Sequence, residues 1–205
     1  MTAWFIAVAM AALVAADPAL AQALGGTTPA TFGEAMRSAL GHPVTGLAHV
    51  AAVVAVGCLA ATQANGPYLV GGYVLASVVG ASAHVGEATV ANATVFVALA
   101  AVALGLLVFR REPLRRDIVF ALFGGTGLIN GYVLGAPIAA AQRDLIAAYL
   151  AGLAVIQVSL AMAVMFGLRA LATRAALQLF AMRVIGAFTV GAGAAILLQR
   201  YGAGA

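Results

Sequence analysis

Charged residues are scarce in this chain, and their scarcity excludes an ordinary soluble fold. Only 8% of the 205 residues are charged, whereas 64% are apolar. A typical soluble domain is about one quarter charged. The chain has no lysine, and its ten basic residues are all arginine. These arginines are spread over short gaps between long apolar runs, so the net charge of +4 does not predict nucleic-acid binding, which needs basic residues on one face.

Cysteine is almost absent as well. Cys58 is the only one and lies inside an apolar run, which excludes an intrachain disulfide and a CxxC metal or redox motif. No nucleotide-binding loop, Ser/His/Asp arrangement or EF-hand pattern occurs. Because no nucleophile has a base placed beside it, the sequence predicts that the protein is not an enzyme.

Long apolar segments fill the rest of the chain. About 20 apolar residues are needed to cross a bilayer core of about 30 Å. The sequence therefore predicts an all-α, polytopic membrane bundle of about six transmembrane helices within residues 44–198, surrounded by lipid. The six predicted spans are Val44–Thr62, Pro67–His84, Thr89–Phe109, Asp117–Ala136, Leu145–Leu168 and Ala175–Leu198.

The N-terminal segment has the pattern of a signal peptide. Residues 1–21 combine a short apolar stretch with a small-residue motif, which predicts cleavage before Gln22. The stretch has no preceding lysine or arginine, so an uncleaved N-terminal anchor is the alternative. Residues 22–43 are predicted to form an arm outside the bilayer. In it, Thr31 and Glu34 form an N-cap box that opens a short amphipathic helix, Phe32–Leu40, on the membrane surface.

The arginines predict the orientation. Four of them lie in the segment Arg110–Arg116, and Arg169 and Arg174 flank the gap between the fifth and sixth spans. These loops are an even number of crossings apart, and the positive-inside rule makes their side cytoplasmic. The N-terminus is then periplasmic, and the protein is predicted to be a multi-pass protein of the bacterial inner membrane.

Few side chains in the apolar segments can do chemistry. They are His42, His49, His84, Glu87 and Asn130. Polar groups at membrane depth are costly and are candidates for function. Imidazole and carboxylate groups suit Ni²⁺, Co²⁺, Zn²⁺ or Cu²⁺, so His42, His49, His84 and Glu87 are the predicted metal ligands, near the periplasmic side. In the alternative interpretation, His42 caps the first span, and His84 and Glu87 are ordinary interfacial residues.

The run HPVTGLAHVAAVVAVGCLAA, residues His42–Ala61, resembles a family signature. It is similar to the pattern HPxxGxDHxxAMxAVGxxAA of the HupE/UreJ family of hydrogenase and urease accessory membrane proteins. The similarity continues more weakly through Val85–Glu87 and Ala103–Leu107, and covers about Phe32 to Gly167. The resemblance implies a nickel or cobalt permease with an exported N-terminus.

This chain departs from the family pattern at several positions. The family's aspartate before the second histidine is Ala48 here. Its HGxxHG motif on the fourth span has Asn130 and Leu134 at the two histidine positions, and Gln157 corresponds to a further histidine of the fifth span.

Two hypotheses follow from this altered ligand set. In the first, the protein is a HupE/UreJ-like permease for a divalent metal of the nickel/cobalt type, in which His84 and Glu87 act with His42 and His49 as ligands. In the second, it is a non-transporting structural or assembly subunit of a larger respiratory, hydrogenase or photosynthetic membrane complex, built on a permease scaffold that has lost its ligands.

Overall fold

The protein is helical throughout the part that can be described. The computed structural model describes residues 29–110 and 114–201, with the backbone alone over 40–45. These residues contain seven α-helices and one 3₁₀ turn but no strand, which confirms the predicted all-α class. The predicted signal peptide, residues 1–21, lies outside the described residues. The elements are α1 Phe32–Thr45, α2 Leu47–Ala61, α3 Gly66–Val85, α4 Ala93–Val108, α5 Arg116–Leu134, the 3₁₀ turn Ala136–Ile138, α6 Arg143–Ala170 and α7 Ala175–Tyr201.

Each predicted span overlaps one of the helices α2 to α7, and the first span also includes the last two residues of α1. Four of them, α3, α5, α6 and α7, are long and apolar enough to cross a membrane. The helices α2 and α4 are apolar but have 15 and 16 residues. At a rise of about 1.5 Å per residue each is about 22–24 Å long, which is shorter than a hydrocarbon core of about 30 Å. By length and composition, four of the described helices can therefore span a membrane, and the count of six stays a prediction.

Large apolar side chains cover the outside of the bundle. Water would make such a surface costly, whereas lipid tails solvate it and leave backbone groups to be satisfied inside helices. The exposed residues come from every helix between α3 and α7 and include Leu75, Phe96, Leu106, Phe120, Phe166 and Leu198. This surface fits a bilayer environment.

The first helix begins with the predicted capping pair. The Glu34 amide donates to Thr31 Oγ1 at 3.3 Å, and the Ala30 amide donates to Glu34 Oε2 at 2.8 Å. The helix is longer than predicted, because it continues to Thr45 instead of ending at Leu40. It ends where Gly46 takes an extended conformation, with φ −81° and ψ 97°, and α2 starts at the next residue.

Helix α1 packs against α6. Ala35 and Ala39 are fully buried there. Gly152 of α6 makes the approach possible, since a Cβ added to it would lie 2.8 Å from the Cβ of Ala39. Through this contact α1 becomes part of the bundle.

Helices α3 and α5 form the closest pair and run parallel. Gly127 and Gly131 of α5, with Gly135 directly after its end, face the backbone of α3 at Tyr73, Ser77 and Ala81. A Cβ at Gly131 would lie 2.6 Å from Ser77 Cα and would collide with the Ser77 carbonyl oxygen. Small residues four apart allow such approach in membrane bundles. Gly131 and Gly135 thus form a GxxxG packing motif, and Gly127 extends it by one turn.

One end of the bundle is held by an arginine. The Arg169 guanidinium donates to the carbonyl oxygens of Ala60, Ala61 and Gln63 at 3.3, 3.3 and 2.5 Å. Gln63 Nε2 donates to the Leu114 carbonyl at 3.1 Å. The two arginine-bearing loops of the sequence therefore lie together. We call this side, with turns 62–65 and 171–174, the arginine end, and the opposite side, with segments 86–92 and 135–142, the histidine end.

Replacing Arg169 with alanine is expected to destabilise the protein by about 1–3 kcal/mol, because the carbonyl groups at the C-terminus of α2 lose their charged donor. Thermal unfolding of the detergent-purified protein measures the change. Arg174→Ala is the matched control, since Arg174 is exposed and its side chain makes no hydrogen bond within the described residues. The control is expected to change the stability by less than about 0.5 kcal/mol. Equal effects of the two substitutions would contradict this role for Arg169.

Candidate functional site

His49 is held by a chain of hydrogen bonds inside the bundle. It lies in the first turn of α2, and its Nδ1 is 2.5 Å from Asn130 Oδ1 on α5. Asn130 Nδ2 in turn donates to the Tyr73 hydroxyl on α3 at 2.8 Å. Because the Asn130 amide nitrogen points to Tyr73, its oxygen faces His49, and His49 Nδ1 is the donor. In the neutral ring, Nε2 then carries the lone pair.

A second polar pair lies at the same level. Gln157 Nε2 on α6 donates to Ser77 Oγ on α3 at 3.0 Å. Ser77 packs against Gly131, the residue that follows Asn130. The close contact of α3 and α5 therefore brings the Gln157–Ser77 pair near the hydrogen-bond chain of His49, Asn130 and Tyr73. We call these five residues the polar layer: His49, Tyr73, Ser77, Asn130 and Gln157. All of them are buried except His49, which is half-buried.

An apolar layer lies one turn nearer the histidine end. Ala81 follows Ser77 by four residues, Leu134 follows Asn130 by four, and Leu153 precedes Gln157 by four. These three side chains are in one fully buried cluster with Ala39 of α1, Ile138 and Tyr149. This apolar layer therefore lies between part of the polar layer and the histidine end, and α1 contributes Ala39 to it.

His84 lies near this apolar layer at the end of α3. Its ring packs against Tyr132, with ring centroids 4.6 Å apart and an interplanar angle of 54°. The Tyr132 hydroxyl donates to the Ala88 carbonyl at 2.6 Å and accepts from the Val90 amide at 3.0 Å, which fixes the turn after α3. His84 Nδ1 is buried and has no hydrogen-bond partner in the described part of the chain.

Glu87 lies just after the end of α3, and His42 lies near the end of α1. Glu87 is exposed, and its φ of 63° places it in the left-handed conformation that often ends a helix. The Ala88 amide closes this end by donating to the Ala83 carbonyl at 3.1 Å. His42 lies near the C-terminus of α1, just before the bend at Gly46, and its side chain is outside the described residues.

Among the described residues, no three or more His, Cys, Asp or Glu side chains form a group that could hold a metal ion. Of the predicted ligands, His49 is in the polar layer, His84 is beside the apolar layer, and Glu87 is in an exposed turn. His49 Nδ1 contacts the Asn130 amide, which in turn contacts the Tyr73 hydroxyl.

Sequence reasoning missed Tyr73 and Ser77. Tyrosine and serine are common in membrane helices, and no pattern near either residue marks it as different. The only available signal was their spacing of four residues, which puts both on the face of α3 that meets the glycines of α5. Asn130 was visible as a polar residue within an apolar span.

Comparison with known protein families identifies a match over most of the chain. The chain matches a family model described as HupE / UreJ protein over residues 8–196. No curated protein and no solved structure shows significant similarity to it.

Proposed function

This chain belongs to the HupE/UreJ family, and from that premise we propose that it carries a divalent transition metal of the nickel/cobalt type through the membrane. His49 Nε2 is the proposed ligand inside the bundle. The observation that carries the proposal is the hydrogen-bond chain from His49 to Asn130 and Tyr73. Imidazoles that bind metals usually donate their other ring nitrogen to an oxygen acceptor, which fixes the tautomer and the ring orientation.

The proposed direction of entry is from the histidine end. By the positive-inside rule, the arginine end faces the cytoplasm, so the histidine end faces the periplasm of a bacterial inner membrane. Along this path, Glu87 is exposed, His84 is half-buried and His49 lies in the polar layer. We propose that Glu87 and His84 capture the ion, and that His42 and His49 receive it.

The composition of the polar layer determines how strongly it binds a metal ion. Within the described residues the polar layer offers one imidazole among amide and hydroxyl groups, and it has no carboxylate. A bare divalent ion is costly to hold without compensating charge. We therefore propose transient passage with weak binding, because conduction requires that an ion can leave each site.

Metal uptake into proteoliposomes tests the proposal. The purified protein is expected to take up Ni²⁺ or Co²⁺, and His49→Ala is expected to lower the rate at least about ten-fold, since loss of a metal's supporting groups alone costs that much. Gln199→Ala, exposed near the end of α7, is the control and should leave the rate unchanged.

A negative result would favour the other hypothesis. If wild-type protein shows no uptake and no thermal shift with Ni²⁺, Co²⁺, Zn²⁺ or Cu²⁺, the transport proposal is wrong. Co-migration with a larger complex after gentle extraction would then support a structural or assembly subunit.

A further inference from the structure

A cavity of about 650 Å³ lies at the arginine end, between helices α2, α4, α5 and α7. Its volume is within the range of about 300–1,000 Å³ that is typical of sites for small organic molecules. Leu179 of α7 lines it and is 45% exposed, so the cavity reaches the outer surface of the bundle. Most of the lining side chains are aliphatic, and the four helices all contribute them: Leu59, Leu107, Val108, Val119, Leu179 and Met182.

The polar part of the lining is cationic. Arg110 lies just after α4 and is exposed, and its side chain makes no hydrogen bond or ion pair within the described residues. Thr62, Gln63 and Gln178 are neutral, and their side-chain donors are already bonded to backbone carbonyl groups. Among the described lining residues there is no carboxylate. The cavity therefore suits an anion and not a divalent metal ion.

A second arginine lies close to the same opening. Arg183 follows Leu179 by four residues on α7, so the two share one face, and Arg183 is exposed on the outside of the bundle. Because α7 begins at the arginine end and helical side chains lean toward the N-terminus, the Arg183 side chain leans toward the level of Leu179. Within the described residues it makes no hydrogen bond or ion pair. A charged group facing lipid is costly without a partner.

Packing between α4 and α7 brings these two arginines onto neighbouring segments. Phe109, which precedes Arg110, lies against Gly186, since a Cβ added to Gly186 would be 3.1 Å from Phe109 Cε2. Gly186 is three residues after Arg183 on the same helix. The opening of the cavity is therefore flanked by one guanidinium group from the end of α4 and another from α7.

We propose that this cavity binds an anionic phospholipid, with Arg110 and Arg183 donating to the phosphate and an acyl chain lying against the aliphatic lining. Guanidinium groups bind phosphate oxygens through charge-assisted hydrogen bonds. Basic pockets between transmembrane helices are sites for anionic headgroups. The opening faces the apolar outer surface, where lipid is the phosphate-bearing molecule in contact with it. The proposal does not depend on metal transport.

Thermal unfolding of the full chain in mixed micelles tests the proposal. Phosphatidylglycerol at about 100 times its dissociation constant is expected to raise the unfolding temperature by about 5 °C or more, because it binds only the folded state. Phosphatidylethanolamine has no net charge and is expected to give less than half of that shift. Arg110→Ala/Arg183→Ala should abolish the difference between the two lipids. Leu179→Trp keeps both arginines but fills the opening, and should remove at least half of the phosphatidylglycerol shift.

Arg37→Ala/Arg143→Ala is the matched control. It removes the same net charge, and both arginines are exposed, but they lie on α1 and at the start of α6, away from the cavity. It should keep the full difference between the lipids. If the Arg110/Arg183 double variant does not fold, Arg110→Gln alone is compared with wild type by native mass spectrometry. It should carry about ten-fold less bound phosphatidylglycerol, because hydrogen bonds to a charged group are lost.

Several results would overturn the proposal. Equal shifts with the two lipids, or a phosphatidylglycerol shift that survives Arg110→Ala/Arg183→Ala, would mean that these arginines do not hold a headgroup. An equal loss in Arg37→Ala/Arg143→Ala would mean general attraction to surface charge. The same shift with inorganic phosphate in lipid-free detergent would assign the site to a free anion. A dimer that dissociates in Leu179→Trp would mean that a second copy of the chain covers the cavity.

Discussion

Replacing Gly131 with alanine is expected to destabilise the protein by about 3 kcal/mol or more, at the severe end of the effects of overpacking. The added Cβ would lie 2.5 Å from the Ser77 carbonyl carbon and 2.6 Å from Ser77 Cα, and would collide with the carbonyl oxygen. All three are backbone atoms of a helix, so no side-chain rotation relieves the contact. The helices α3 and α5 must separate.

That separation would also disturb the polar layer. Asn130 of α5 reaches Tyr73 of α3 only while the two helices lie against each other. Gly131→Ala should therefore weaken metal uptake in any folded fraction, although residue 131 itself offers no ligand. Thermal unfolding in detergent measures the stability, and proteoliposome uptake measures the second effect.

Two glycines on the same helix provide the control. Gly124 and Gly125 have no atom within 4 Å of an added Cβ. Gly124→Ala and Gly125→Ala should be neutral or slightly stabilising, since alanine favours the helix more than glycine does. If Gly131→Ala unfolds at the same temperature as these two variants, the close contact of α3 and α5 is not as described.

The helices could be predicted because a membrane allows the backbone few conformations that satisfy its hydrogen bonds. A chain in hydrocarbon must satisfy its backbone groups internally, so each long apolar run becomes a helix. The sixth predicted span, Ala175–Leu198, differs from α7 only at its last three residues. The first span was less well placed, because it was predicted to begin at Val44, whereas α1 continues to Thr45 and α2 begins at Leu47. Hydropathy alone does not reveal the extended conformation of Gly46.

The pairing of the helices could not be predicted in the same way. The closest pair, α3 and α5, is not consecutive in the chain, and its register depends on three glycines that meet three backbone carbonyl groups. Gly131 and Gly135 were recognisable as a packing motif, but their partner helix was not. The polar layer depends on this register, which is why His49 and Asn130 could be named from the sequence but Tyr73 and Ser77 could not.

Restoring histidines on α5 is expected to give the second large effect. In the double variant Asn130→His/Leu134→His, the two imidazoles lie on the same face of α5, since residues four apart share one face. Residue 130 contacts His49, and residue 134 lies in the buried apolar layer. Nickel affinity is expected to rise at least about ten-fold for each added imidazole that reaches the ion.

The same variant should become less stable without metal. Leu134 is in one buried cluster with Ala39, Ala81 and Leu153. An imidazole at position 134 would be buried among these apolar side chains without a hydrogen-bond partner, which is costly. A ligand that binds only the folded state stabilises it, so Ni²⁺ should raise the unfolding temperature of the variant far more than that of the wild type. Isothermal titration and thermal unfolding with and without Ni²⁺ measure the two effects.

Leu128→His is the matched control for this variant. Leu128 is on the same helix but exposed on the outside of the bundle, so its imidazole cannot reach the polar layer. It should leave nickel affinity unchanged. If the double variant does not fold, Asn130→His alone keeps Leu134 in the apolar layer and still tests one added ligand. Nickel binding no tighter in either histidine variant than in Leu128→His would mean that residue 130 does not face the path of the ion, and that His49 is held by Asn130 for packing alone.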